Sequence, residues 1–195
     1  MLRRLVGNKI KTPLTFIAHH LHQKNITPNI LTFTGLVINI IGALFYYNGW
    51  ILMGGVVILC AGIFDMLDGA VARESNTVSK IGAFTDSVVD RYSDFIIFGG
   101  IIAYFAKGGN TGETILVLFI LCGSFLVSYV RARAELVIPS CDVGFMERPE
   151  RIIILALGSI LNFFMLSLWI LAVGTHLTAI YRIWYTYMSD KQAQS

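Results

Sequence analysis

Asp65-Met66-Leu67-Asp68-Gly69-Ala70-Val71-Ala72-Arg73 and, after residues 74–81, Gly82-Ala83-Phe84-Thr85-Asp86-Ser87-Val88-Val89-Asp90 set four carboxylates into otherwise apolar runs. Asp65 and Asp68 are three apart, and Asp86 and Asp90 four apart, so on helices each pair shares a face. The short connection predicts two antiparallel neighbouring helices whose carboxylates face each other. At 1.5 Å per residue, Asp65 lies about 12 Å along the axis from Arg73, which puts the pairs at bilayer depth.

The rest of the chain fits that setting. Of the 195 residues, 55% are hydrophobic and 14% charged, against about 25% charged in an ordinary soluble domain. The mean hydropathy is +0.69. Apolar segments at 29–48, 51–73, 83–105, 113–134, 149–163 and 165–188 predict six transmembrane helices. The last two are split near Asn162, because one helix of their joint length would overshoot the bilayer. Thr27 and Pro28 suit the N-cap and first residue of the first span. Gly108-Gly109-Asn110-Thr111-Gly112 is a turn, and 136–146 a loop. Residues 8–26 place Leu14, Ile17, Ala18 and Leu21 at helical spacing, which predicts an N-terminal amphipathic helix at the membrane interface. His19, His20 and His22 on it are expected to face solvent or headgroups. The expected fold is therefore an all-α integral membrane protein, a single domain over 1–195 with 1–27 juxtamembrane and no internal repeat.

Of the 15 Lys and Arg, all but Lys107 fall on one side of this topology. The positive-inside rule makes that side cytoplasmic, so the carboxylates open to the cytoplasm of a multi-pass cell-membrane protein. The basic start, Met1-Leu2-Arg3-Arg4-Leu5, lacks the pattern of a cleaved signal peptide. Cys60 and Cys122 lie in apolar runs and read as packing residues; no disulfide or zinc site is expected. A net charge of +3 gives no case for a nucleic-acid partner.

Ionised carboxylates in apolar surroundings cost several kcal/mol each. Divalent cations offset both desolvation and repulsion, and hard Mg²⁺ or Mn²⁺ suits carboxylate oxygen. Two metals flanked by carboxylates suit displacement at phosphorus. Ion or proton transport, or pairing with a buried Arg such as Arg91, are the competing uses.

The full pattern, D-x-x-D-G-x-x-A-R-x(8)-G-x(3)-D-x(3)-D, resembles that of the CDP-alcohol phosphatidyltransferases, with every fixed position present. The resemblance implies a six-helix membrane fold, usually homodimeric, that moves a phosphatidyl group from a CDP-linked lipid to an alcohol and releases CMP. It implies two divalent ions held by Asp65, Asp68, Asp86 and Asp90, with Asp90 also the general base. CDP-lipid contacts would fall to Asn29, Ile30, Leu31, Thr32, Gly69, Arg73, Ser79 and Gly82. Gly69 and Gly82 carry no side chain and let a ligand approach the backbone. Some relatives have Asp where this chain has Asn29.

A second region reads Ser128-Tyr129-Val130-Arg131-Ala132-Arg133-Ala134-Glu135, then Gly144-Phe145-Met146-Glu147-Arg148-Pro149-Glu150-Arg151. With Arg182 on the last span, these Arg residues should converge at the cytoplasmic mouth, as a phosphorylated acceptor requires. Glu135, Glu147 and Glu150 are their expected partners. These strings resemble the phosphatidylinositol phosphate synthases within the family. That implies inositol 1-phosphate as acceptor, with Arg131, Arg133, Arg151 and Arg182 on its phosphate. A phosphatidylglycerophosphate synthase using glycerol 3-phosphate, or an archaetidylinositol phosphate synthase using an ether lipid, are the alternatives.

Overall fold

The computed structural model describes residues 11–24, 27–75 and 77–193. Met1–Leu5 and the side chains of Leu14 and His22 lie outside the described part. Among the described residues seven helices follow one another: α1 Lys11–Gln23, α2 Pro28–Tyr47, α3 Ile51–Glu74, α4 Lys80–Lys107, α5 Thr111–Ala134, α6 Arg148–Ile160 and α7 Phe164–Ala193. Long apolar segments become helices because a bilayer leaves no other backbone partner within one segment. Pro28 opens α2 after an extended Thr27, whose side chain makes no capping bond.

α2–α3, α4–α5 and α6–α7 are three helical hairpins joined by the same turn. Each first helix is followed by a left-handed residue: Gly49 (φ 78°), Gly109 (φ 73°) and Asn162 (φ 61°). The next amide then reaches back five residues: Trp50 to Phe45, Asn110 to Phe105 and Phe163 to Gly158. This is the Schellman stop, which needs a residue that tolerates positive φ. Phe45 and Trp50 also stack, with ring centroids 5.6 Å apart. The break at Asn162 thus has a local cause.

Helix pairing closes the hairpins into a ring in the order α2, α3, α6, α7, α5, α4, with α1 against α3. Tyr46, Ile58, Ile97, Ile120, Leu155 and Leu171 fill one core drawn from all six helices. Near the hairpin turns, Tyr46 and Phe105 both stack on Phe164, at 5.8 and 6.2 Å. The Tyr46 hydroxyl shares a hydrogen bond of 2.8 Å with Ser159. The opposite end carries the longer connections 75–79 and 135–147, and the charged residues with them.

The structure departs from expectation in the packing of α3 and α4 and in the cysteines, and adds detail on the spans and on His19. α3 and α4 are not packed side by side; α2 lies between them, because its Gly42 admits Ile58 and its Ala43 backbone meets Gly100. Among the described residues, four helices are long and apolar enough to cross a membrane: Pro28–Tyr47, Ile51–Glu74, Thr111–Ala134 and Phe164–Gln192. α4 fails the test of apolarity because Asp86, Asp90, Arg91 and Asp94 lie along it, and α6 has only 13 residues. His19 is not merely solvated: its Nδ1 pairs with Glu74 at 2.9 Å. Cys60 and Cys122 are exposed on the outer face, whereas Cys141, in the loop, is buried beside Ala134 and Ile138.

Small residues let the helices approach. A Cβ on Gly55 of α3 would lie 2.6 Å from Ser159 Cβ and 2.9 Å from the Ala156 carbonyl on α6, whereas one on Gly99 would meet nothing within 4 Å. Gly55→Val should therefore destabilise the bundle by about 1–3 kcal/mol. Its thermal midpoint in detergent should fall, and that of Gly99→Ala should not.

Candidate functional site

At the open end of the ring, α3 and α4 present their carboxylates from either side of α2. One oxygen each of Asp65, Asp68 and Asp86 lies within 4.8 Å of the other two. Asp68 is buried and accepts a 2.6 Å hydrogen bond from the Thr32 hydroxyl of α2. Asp86 Oδ1 is buried with no hydrogen-bond partner among the described residues. Three converging oxygens, one of them unsatisfied, suit a hard divalent cation.

Asp90 stands apart from that trio. Its Oδ1 meets Arg148 Nη1, and its Oδ2 lies 3.8 Å from Arg91. The same Arg148 nitrogen donates to Asp65 Oδ1 at 2.5 Å. Arg148 thus bridges α3 and α4 from α6, on the far side of the ring. One turn on from Asp90, buried Asp94 accepts from Arg151 Nη2 at 2.5 Å, and Arg151 Nη1 also donates to the Met146 carbonyl.

Beside these carboxylates opens a cleft of about 990 Å³, lined by α4, α5, α6, α7 and the 135–147 loop. Asp90, Arg91, Arg131, Arg148, Arg151 and Arg182 all line it. Arg182 is only 2% exposed. Its Nε and Nη1 donate to the carbonyls of Val143 and Val127, which fix the guanidinium, and Nη2 reaches Glu147 at 3.2 Å. Arg131 pairs with Glu135, Asp142 and Glu147. The expected pairing of Glu135 and Glu147 with the arginines is present. Arg133 is exposed and lies outside the cleft lining.

The residues expected on the donor side are dispersed. Leu31 is buried with Ala18, Leu67 and Val71, which ties α1 to α2 and α3. Asn29 and Ile30 line a separate shallow groove with Phe33, Thr34 and Val37 on the outer face of α2. The Ser79 hydroxyl caps α4 by accepting from the Gly82 amide at 2.9 Å. A Cβ on Gly69 would touch the Arg73 guanidinium at 3.4 Å, so Arg73 lies over that glycine.

Sequence reasoning missed Asp94 and gave Arg148 no more than a place in the arginine cluster. The signal for Asp94 was present: it continues the four-residue ladder of Asp86 and Asp90. Nothing local marks Arg148 as the residue that crosses the ring, because its partners lie 83 and 58 positions away in the chain.

With this geometry in view, the relatives are informative. The CDP-alcohol phosphatidyltransferase family profile matches residues 25–185. The chain is 37% identical over 177 residues to the archaetidylinositol phosphate synthase of Pyrococcus horikoshii, covering 90% of this chain and 92% of that protein. It is 34% identical over 193 residues to the phosphatidylinositol phosphate synthase of Mycobacterium tuberculosis, covering 93% and 88%. The crystal structure of that M. tuberculosis enzyme with CDP-DAG bound superposes with a TM-score of 0.81 at 33% identity, covering 89% of this chain and 93% of that one. Its complex with manganese and citrate also gives 0.81, at 34% identity, covering 89% and 88%.

Arg151 and Asp94 are 2% and 7% exposed at the side chain. Breaking such a pair from one side leaves an uncompensated buried charge, at a cost of about 3–5 kcal/mol. Arg151→Met should lower the thermal midpoint sharply. Adding Asp94→Leu should recover most of the loss; failure to recover would mean that the pair does not act as a unit.

Proposed function

The chain belongs to the CDP-alcohol phosphatidyltransferase family, and on that premise we propose that it transfers the phosphatidyl group of CDP-diacylglycerol to a hydroxyl of inositol 1-phosphate, giving phosphatidylinositol phosphate and CMP. The observation that carries the acceptor assignment is the meeting of Arg131, Arg151 and Arg182 on one cleft that opens beside Asp90. Three guanidinium groups around one cleft suit a phosphate monoester, which accepts their paired donors and balances their charge. A neutral polyol brings no anion to accept those donors.

Asp65, Asp68 and Asp86 would hold the divalent ions, Mg²⁺ or Mn²⁺, with Asp90 completing a two-ion site. Ions bound there neutralise the donor's diphosphate and the leaving oxygen. Thr32 holds Asp68 in place through its hydroxyl. Arg73, exposed above Gly69, faces the diphosphate, and Asn29 to Thr32, Ser79 and Gly82 line the nucleotide's approach. Arg131, Arg151 and Arg182 orient the acceptor, with Arg133 at the outer rim. Asp90 takes the proton of the attacking hydroxyl. The oxygen–phosphorus bond to the acceptor forms as the bond to CMP breaks.

In this reading α2–α7 cross the cell membrane six times, and α6 is short because its first turn already lies in the cleft. α1 rests on the cytoplasmic interface, where exposed Phe16 and Ile17 meet lipid. The one-sided Lys and Arg distribution supports a cytoplasmic site, and the protein works as a homodimer. The likeness to the P. horikoshii protein supports a second reading, in which the donor carries ether-linked chains.

The deciding experiment supplies labelled CDP-diacylglycerol and compares acceptors. Incorporation and CMP release should occur with inositol 1-phosphate and Mg²⁺ or Mn²⁺, and stop on chelation. Incorporation with glycerol 3-phosphate but not inositol 1-phosphate would overturn the acceptor assignment. A CDP-linked ether lipid tests the second reading in the same assay. Asp90→Asn should lower turnover by about a hundredfold or more; undiminished turnover would remove Asp90 as the base. Arg182→Met should raise the KM for the acceptor by roughly tenfold or more, because it removes a buried charge partner.

A further inference from the structure

Glu147 and Arg148 open α6 as its N-cap and first residue. The Glu147 side chain does not cap the helix. Its Oε1 instead lies between Arg131 Nη1, at 3.3 Å, and Arg182 Nη2, at 3.2 Å. The other nitrogens of Arg182 bond to the Val143 and Val127 carbonyls, independently of Glu147. Arg148 does the converse one residue later. Its Nη1 lies between Asp65 and Asp90, and its Nε is 3.7 Å from Asp94. An acid thus sits between two bases, and a base between two acids, on neighbouring residues.

We propose that Glu147 and Arg148 are internal stand-ins: Glu147 holds the place of the acceptor's phosphate between Arg131 and Arg182, and Arg148 holds the place of a metal ion between Asp65 and Asp90. The inference rests on the reading of these aspartates as metal ligands and these arginines as phosphate ligands. Three things follow from the geometry. These pairs offset the buried charges from within the chain, so the carboxylates and guanidinium groups can stay folded inward. Both ligands bind by exchange, which makes Glu147 a filter for acceptor charge: an acceptor must bring an anion able to replace a carboxylate, and an unphosphorylated polyol brings none. The two exchanges are also linked, because the residues share a peptide bond and the first turn of α6. An anion that displaces Glu147 loosens Arg148 from Asp65 and Asp90, and a metal ion that displaces Arg148 loosens Glu147. Linkage of this kind is reciprocal. Each exchange also loosens Asp90 from Arg148, which frees its carboxylate to take a proton.

The test is equilibrium binding to the full-length protein in detergent without CDP-lipid, so that nothing turns over. Free Mn²⁺ is followed by electron paramagnetic resonance and inositol 1-phosphate by calorimetry. In the wild type each ligand should tighten the other by about fivefold. Arg148→Met should bind Mn²⁺ about tenfold tighter, and Glu147→Gln should bind inositol 1-phosphate about tenfold tighter, with the mutual effect lost in both. Mn²⁺ binding that is absent, or unchanged in Asp68→Asn, would overturn the metal-site reading itself. If both ligands bind the wild type but neither variant binds its ligand tighter, the stand-in inference falls and the functional reading stands. Should the variants not fold, the wild-type measurement decides alone, because independent binding of Mn²⁺ and inositol 1-phosphate overturns the inference.

Discussion

Buried charge must be balanced, and in this molecule the balance is struck across a ring of helices rather than along one. Asp65 comes from α3, Asp90 and Asp94 from α4, and Arg148 and Arg151 from α6. In apolar surroundings none of these groups is stable alone. The ion pairs are therefore also the ties that draw three helices together at the end where the ring is otherwise open. The site and the closure of the fold at that end are one set of interactions, and α6 contributes to both through its first turn.

The hairpins make such convergence possible. Each is closed by a hydrogen-bonded turn with a left-handed residue, so the two helices it joins leave in a set direction. The longer connections 75–79 and 135–147 join one hairpin to the next, and chemistry gathers beside them. α2 has a particular place in this plan. It separates the two aspartate helices, touches both through small residues, and lends Thr32 to Asp68. α2 thus keeps the two aspartate helices apart, while Asp65, Asp68 and Asp86 still converge to within 4.8 Å at the open end.

Much of this was legible in the sequence. The aspartate spacings showed the shared faces, and the apolar runs showed the helices to within a few residues, because both depend on local periodicity. Bilayer thickness alone puts the last break near Asn162, and the structure supplies the local cause, a left-handed stop that suits Gly or Asn. The separation of α3 from α4 was not legible, since chain proximity says nothing about a helix that arrives between them. Nor was Arg148 legible, because its role depends on ring order, which is a matter of distant contacts. The cysteines misled for a related reason: in a bilayer an apolar run has two apolar destinations, core and lipid, and composition does not separate them. Cys60 and Cys122 went to the outer face, and the polar-looking loop buried Cys141.

A cleft that admits water and anions part-way through a bilayer raises a question of leakage. Membranes hold an electrical potential, and any continuous wet path would dissipate it. The stack of Tyr46, Phe164 and Phe105 lies between the cleft and the hairpin turns, with Ile58, Ile97 and Ile120 packed in the same core. Its only polar member, the Tyr46 hydroxyl, is already satisfied by Ser159. On the topology proposed above, the aromatic end of the ring would insulate the charged chamber from one side of the membrane.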